Sequence, residues 1–381
     1  MKVTQRTVRL ELAEPLRISR STMAARDAVW LTVEDDDGVR GHGEAVTSVY
    51  YGLDAGTLER LFADVAAALV RFRDPESALE ALRGESAASG SPAAIGRRSA
   101  LPPAVTAAAE AALLDLVGKR AGRPVHRLLG ASAAPVAATA RTIGIVSPMR
   151  AGAEARRLAA SGFEVVKVKA GAPDPEEDVE RVRVIRDAAP RVRLLLDPNG
   201  AWTPAQAEAL LPRFAELGVE AVEQPLAPGD PDALAALAAR SPLPLIADED
   251  AVGLEDVRRL AGRVHGVNVK LAKCGGVHAA LRIAEAIEGS GTELMLGCLT
   301  ASSLGLAPAV HLADRARWVD LDGHLLLADD PWTGIGGADG FVRTTELPGL
   351  GVRRRTTEGA EGAEGAEGAE GTGEIRRADV A

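Results

Sequence analysis

Polar and apolar residues alternate through KVTQRTVRLEL (2–12) and again through AVWLTVE (28–34), the period of a strand with one buried face. DDDG (35–38) predicts a turn into a third strand-like run, VRGHGEA (39–45). The period then lengthens to that of helices, in LERLFADVAAALVRF (58–72) and AVTAAAEAALLDLVGKRAG (104–122), the second ending at a glycine stop. Between them, GESAASGSPAAIGRRSALPP (84–103) reads as a loop.

From about residue 138 short apolar runs alternate with amphipathic helical runs such as PEEDVERVRVIRDAA (175–189) and TPAQAEALLPRFAEL (203–217). Strands are expected near ARTIGI (140–145), EVVKVK (164–169), VRLLLD (192–197), EAVE (220–223), PLIAD (244–248), GVNVK (266–270), ELMLG (293–297) and RWVDLD (317–322). Apolar strands joined by helical crossovers make a parallel sheet covered on both faces, and eight of them close into a barrel. Seven intervening helices rather than eight predict a modified TIM barrel, (β/α)7β, in the α/β class. The expected domains are an α+β cap over 1–130, the barrel over 131–325, and a segment at 326–355 returning to the cap. The repeats of TTEGAEGAEGAEGAEG lack core-forming residues, so 356–381 is expected to be disordered.

Composition removes several function classes. The 381 residues carry a formal net charge of −10, with 44 Lys+Arg against 54 Asp+Glu and 3% aromatics, which argues against a nucleic-acid partner. No stretch nears the roughly 20 apolar residues of a membrane span, and the N-terminus lacks the apolar core of a secretory signal. A cytoplasmic protein with two reduced thiols, Cys274 and Cys298, is expected. The histidines lack the spacing of a zinc site, and no GxGxxG follows a strand.

Chemistry in such a barrel gathers at the C-terminal ends of the strands. Asp197, Glu223 and Asp248 end three consecutive strands, one repeat apart, and so reach one rim together. Converging carboxylates repel unless a cation sits among them, and oxygen-only ligands suit Mg²⁺. They could instead be helix-capping acids, and Glu249 and Asp250 directly rival Asp248. Lys167 and Lys169, two apart, share the inward face of their strand. Crowding two ammoniums and a cation should lower their pKa toward neutrality, as proton transfer requires. Lys270 arrives across the barrel, with Lys273 as its rival.

The segments KVK (167–169), DPNGAW (197–202), VEQP (222–225), ADE (247–249) and VKLAKCGG (269–276) together resemble the enolase superfamily, in its muconate-lactonizing-enzyme subgroup. PVHRLLG (124–130) resembles the end of that family's cap. The resemblance implies that Asp197, Glu223 and Asp248 bind Mg²⁺. It implies that Lys169 and Lys270 are the acid/base pair in removing a proton α to a carboxylate, with Lys167 tuning Lys169 or touching the substrate. DLD (320–322) resembles the dipeptide epimerases, where such a pair binds a free α-ammonium, so Asp320 and Asp322 are substrate contacts by resemblance. Thr142 in RTIGI matches the same enzymes. The loop LRISRSTMAAR (16–26) holds Arg17, Arg20 and Arg26 at a position that resemblance links to side-chain specificity, with Arg20 the substrate-binding candidate. An arginine there would suit an acidic side chain. The absence of a glutamate near Ala301, common in relatives, weakens a cationic one. A small-molecule dipeptide partner and a homo-oligomer are implied. Rival readings are o-succinylbenzoate synthase, N-succinylamino-acid racemase or a muconate-type cycloisomerase on the same site, and a non-catalytic metal–carboxylate-binding barrel.

Overall fold

The computed structural model describes residues 1–84 and 101–355, together with the backbone of a short strand at 374–375. Most of 84–103 and nearly all of 356–381, the stretches expected to be loop and disordered tail, lie outside the described residues.

Three antiparallel strands open the chain: β1 (Lys2–Ile18), β2 (Ser21–Glu34) and β3 (Arg40–Val46). Helices α1 (Ala55–Leu69), α2 (Pro75–Arg83), α3 (Pro103–Arg120) and the short α4 (Val125–Leu128) follow. The expected loop at 16–26 is instead the tip of the β1–β2 hairpin, where Ile18 pairs with Ser21 beyond a register shift between Glu11 and Leu16. The shift, beside Pro15, breaks the alternation by which a strand is recognised.

Helix α3 packs directly on β3 because the strand lacks side chains there. A Cβ at Gly41 would lie 2.1 Å from the Ala112 carbonyl oxygen, and one at Gly43 would lie 2.0 Å from that of Ala108. Small residues on both partners let the backbones meet. The same helix reaches the barrel, since Glu110 accepts the Val277 N–H, and it reaches the C-terminal segment, since Asp115 accepts the Leu350 N–H at 2.8 Å.

After β4 (Val136–Ala138) comes the barrel: β5 (Ala140–Ile143), α5 (Pro148–Ala160), β6 (Val165–Lys169), α6 (Pro175–Ala188), β7 (Arg193–Asp197), α7 (Pro204–Glu216), β8 (Val219–Glu223), α8 (Pro231–Ala238), β9 (Leu245–Ala247), α9 (Leu254–Leu260), β10 (Gly266–Val269), a single turn α10 (Leu271–Cys274), α11 (Val277–Ile287), β11 (Glu293–Gly297), α12 (Ser303–Val310) and β12 (Trp318–Asp320). All eight expected strands form and pair in parallel in chain order. Helices α5 to α8 each place proline at the first turn, where its missing N–H costs nothing. β13 (Trp332–Thr333), β14 (Phe341–Arg343) and β15 (Arg353–Arg354) complete the fold, with β14 on β4 and the Trp332 ring edge-on to Trp30 of the cap. Glu374–Ile375 pair with Val3 and Thr4.

Inside the barrel, alternate residues form layers. Ala140, Val165, Leu195, Ala221, Ile246, Met295 and Trp318 make an apolar floor. Gly266 leaves room for the Trp318 ring, which a Cβ would meet at 2.7 Å. Two residues further along each strand, every interior position except Gly297 is polar: Thr142, Lys167, Asp197, Glu223, Asp248, Asn268 and Asp320.

Candidate active site

That polar layer is almost dry. Asp197, Glu223 and Asp248 are exposed by 0%, 2% and 2%. None of them caps the helix that follows it; Thr203, Asp230 and Gly253 are the N-caps of α7, α8 and α9. The strand-end acids are therefore free for other chemistry, and the capping alternative falls away.

Ammonium groups interleave with the acids. Lys167 Nζ lies 2.7 Å from Asp320 Oδ2, 2.6 Å from Glu223 Oε2 and 3.1 Å from Asp197 Oδ2. Lys169 pairs with Asp197, and Lys270 with Asp248 at 2.7 Å. Burial raises the Glu223 carboxyl, and Asp197 adds to this, to about 7 against the pull of Lys167. Burial would also raise Asp248, but Lys270 and Lys273 hold it well below the carboxylate range. Burial would lower Lys167 and Lys270, yet the facing carboxylates keep both above the ordinary lysine value. The lowering expected for Lys167 and Lys169 is tied to a cation beside them; among protein groups alone, the carboxylates around Lys167 outweigh the ammoniums.

Among the described residues no three acid, histidine or cysteine side chains stand as a ready cage for a metal ion. Lysine ammoniums lie between the acids. The donors nevertheless suit a hard divalent cation: three buried, all-oxygen side chains, one of them raised by burial and by its neighbour's charge.

The rivals separate cleanly. Lys273 is fully buried behind the site, donating to Asp248 Oδ1, to the Asp248 carbonyl at 2.7 Å and to the Asn268 carbonyl at 2.9 Å. Lys270 lines the cavity instead. Asp250 accepts from Gln224 Nε2 at 2.7 Å and from the Gly229 N–H. Glu249 pairs with Arg20 at 2.7 Å.

Above the layer lies a cavity of about 580 Å³, lined by Lys167, Lys169, Lys270, Asp320 and Asp322 below and by the β1–β2 hairpin and Tyr50–Tyr51 above. Strands β6 and β10 are four apart among eight, so Lys169 and Lys270 enter from opposite sides. Asp320 gives one oxygen to Lys167, while its Oδ1 is buried with no hydrogen-bond partner among the described residues. Asp322 and Thr142, both expected to touch substrate, bind each other: the Thr142 N–H donates to Asp322 Oδ2 at 2.7 Å, beside Arg141 Nη1 at 3.2 Å. This contact bridges β12 to β5, between which no ladder pairs are formed among the described residues. Arg20 lines the cavity, but its charge is met by Glu249, it donates to the Asn199 carbonyl, and it lies 4.7 Å over the Tyr50 ring.

Sequence reasoning missed two supporting residues. Asn268 is buried and donates from Nδ2 to Glu223 Oε1 at 2.8 Å. It lies two before Lys270, so strand alternation was available as a signal. Gln224, at a positive φ of 36°, accepts the Asp248 N–H at 2.9 Å on its side-chain oxygen. No periodicity announces that contact.

Family models match in two blocks: the N-terminal domain of mandelate racemase / muconate lactonizing enzyme over residues 1–130, and the enolase C-terminal domain-like family over 150–357. An L-Ala-D/L-Glu epimerase from Bacteroides thetaiotaomicron is 30% identical, over 93% of this chain and 88% of its own. An L-Lys-D/L-Arg epimerase from Methylococcus capsulatus is 39% identical over 68% of this chain and 74% of its own. A crystal structure of a dipeptide epimerase from Enterococcus faecalis, complexed with Mg and L-Leu-L-Tyr, superposes with a TM-score of 0.85 at 29% identity, covering 93% of this chain and 99% of that one.

Proposed function

The chain belongs to the mandelate racemase / muconate lactonizing enzyme group of the enolase superfamily, and from that premise we propose that it is a Mg²⁺-dependent dipeptide epimerase. The observation that carries this reading is the pair Lys169 and Lys270, entering one cavity from opposite sides, each beside a buried acid.

Asp197, Glu223 and Asp248 would hold the Mg²⁺. When bound, it supplies positive charge beside the substrate carboxylate, where negative charge builds as the α-proton leaves. Lys169, as the free amine, takes the α-proton of the C-terminal residue from one face. Lys270, as the ammonium, returns a proton to the same carbon from the other face. The α-carbon is thereby inverted, and the two lysines exchange protonation states. In the reverse direction their parts are exchanged. Lys167 keeps positive charge under the reacting carboxylate. Asp320, with an oxygen lacking any partner among the described residues, takes the substrate's α-ammonium. Asp322 acts indirectly, by holding β5 and Thr142 against β12.

The names of the relatives support a dipeptide over the succinylated or cycloisomerised substrates of the rival readings. A panel of L,L-dipeptides incubated with enzyme and Mg²⁺ in D₂O tests the proposal. Deuterium should enter the α-position of the C-terminal residue, with the L,D product accumulating. A panel without deuterium uptake, while an N-succinylamino acid exchanges, would transfer the activity to a rival.

A further inference from the structure

Helix α6 carries solvated ion pairs such as Arg183 with Asp187 on its outer face, yet two of its charged residues point inward. Asp178 and Arg181 are exposed by 0% and 1%, and they lie outside the layer of acids and lysines. They meet each other at 2.5 Å, and their other hydrogen bonds go to backbone. Asp178 Oδ2 accepts the N–H groups of Gly171 and Ala172, at 2.7 and 3.1 Å. Arg181 donates from Nε to the Val146 carbonyl at 2.8 Å and from Nη1 to the Lys169 carbonyl at 3.3 Å.

The sheet explains why a guanidinium sits there. The β5–β6 ladder ends at Ile143 and Val168, one residue short of Lys169. The chain leaving β5 turns to the cap instead, where the Ile145 N–H donates to the Arg17 carbonyl at 2.8 Å. Toward β7 the Lys169–Ala170 peptide is held, because the Ala170 N–H donates to the Asp197 carbonyl at 2.9 Å. The N–H and C=O of one trans peptide point in opposite directions, so the Lys169 carbonyl faces the side that β5 has left. The rigid fork of Arg181 reaches both carbonyls across that space. Replacing a buried ion pair by apolar residues is often neutral for stability, so this pair calls for a geometric purpose more than an energetic one.

We propose that Arg181, its fork fixed by Asp178, is a positioning residue for Lys169: it stands in for the absent strand neighbour and sets where the Lys169 amine meets the α-carbon. This role rests on the epimerase reading, in which Lys169 and Lys270 serve opposite faces. The Lys270 carbonyl is anchored separately, by the Lys273 N–H at 2.8 Å and the Cys274 N–H at 3.1 Å. A disturbance at Arg181 therefore reaches one face of the reaction only.

The test follows α-deuterium exchange without inversion, in D₂O with Mg²⁺ and the full-length enzyme, for the L,L- and L,D-forms of a dipeptide that the wild type epimerises. Such exchange needs only the lysine on the proton's own face, because an ammonium carries three interchangeable hydrogens. Lys169→Ala first identifies the epimer that Lys169 serves. In the double variant Asp178→Asn/Arg181→Met, kcat for that epimer should fall at least about tenfold, with KM within about threefold of wild type. For the other epimer, served by Lys270, kcat should stay within about threefold. Arg181→Lys keeps a charge beside Asp178 but cannot span both carbonyls, and should fall between wild type and the double variant. A purely structural role would not separate the epimers. Equal losses for both epimers, or no loss in either, would overturn the proposal. Failure of both variants to fold would also overturn it, by assigning the pair to stability. If the wild type exchanged no dipeptide, the epimerase reading itself would fall.

Discussion

Lys270 and Lys273 lie one helical turn apart, yet their surroundings divide the labour. The ammonium of Lys273 is consumed by Asp248 and two carbonyls, all out of water. Its removal leaves buried acceptors unsatisfied, so Lys273→Met should cost about 3 kcal/mol in denaturant unfolding. Unfolding midpoints equal to wild type would show that the cluster does not hold Asp248. Asp320 is the opposite case, with an oxygen left over. Asp320→Asn should raise KM for dipeptides about 10- to 100-fold, with much less effect on their N-acetylated analogues, which carry no ammonium. An equal loss for both peptide sets would assign Asp320 a purely structural part. Glu223→Gln replaces one of three carboxylates by a neutral amide, and titration calorimetry should find Mg²⁺ affinity weaker by about tenfold or more. Unchanged affinity would remove Glu223 from the metal set.

At the scale of elements, glycine decides how the cap is built. A Cβ at Gly43 would drive α3 away from β3, since the obstacle is the backbone of Ala108 and not a side chain that can turn aside. Gly43→Ala should therefore destabilise the protein by about 3 kcal/mol in chemical denaturation. A change within a few tenths of wild type would contradict the packing. The barrel strands were legible because each is a short, mostly apolar run, and most carry a polar or charged residue at the last inward position. KVK, RLLLD and VNVK state both strand and site, and the same rule would have identified Asn268. The hairpin tip was not legible, because Pro15 and the register shift at Glu11/Leu16 break the alternation. The raised pKa of Lys167 was not legible for another reason. Strand order shows which charges share a rim, but not how many carboxylates stand next to each lysine.

For the whole molecule, the contacts that close the barrel and bind it to the cap join residues far apart in the chain. Asp322 and Thr142 are 180 residues apart. Sequence placed both at the site, and only the fold reveals that they meet each other. His311 is a second such joint. Its Nδ1 accepts the His126 N–H at 3.0 Å and its Nε2–H donates to the Leu350 carbonyl, tying α12, α4 and the C-terminal segment together. Burial lowers its pKa from 6.5 to about 3. The folded state thus binds fewer protons than the unfolded one. The stability this joint contributes is complete above the unfolded value and drains away as pH falls toward about 3. Between pH 7.5 and 5 the loss should be roughly 2 kcal/mol, and His311→Gln should narrow the drop by about that amount. An identical pH dependence in the variant would contradict the neutral, buried histidine. The central claim, two bases on opposite faces of one α-carbon, is tested most directly by single-turnover exchange in D₂O with L,L- and L,D-dipeptides. The account predicts that Lys169→Ala and Lys270→Ala each abolish α-proton removal from one stereoisomer, a different one for each variant, while deuterium exchange of the other survives. Loss of the same isomer in both variants, or survival of both isomers in either, would contradict it.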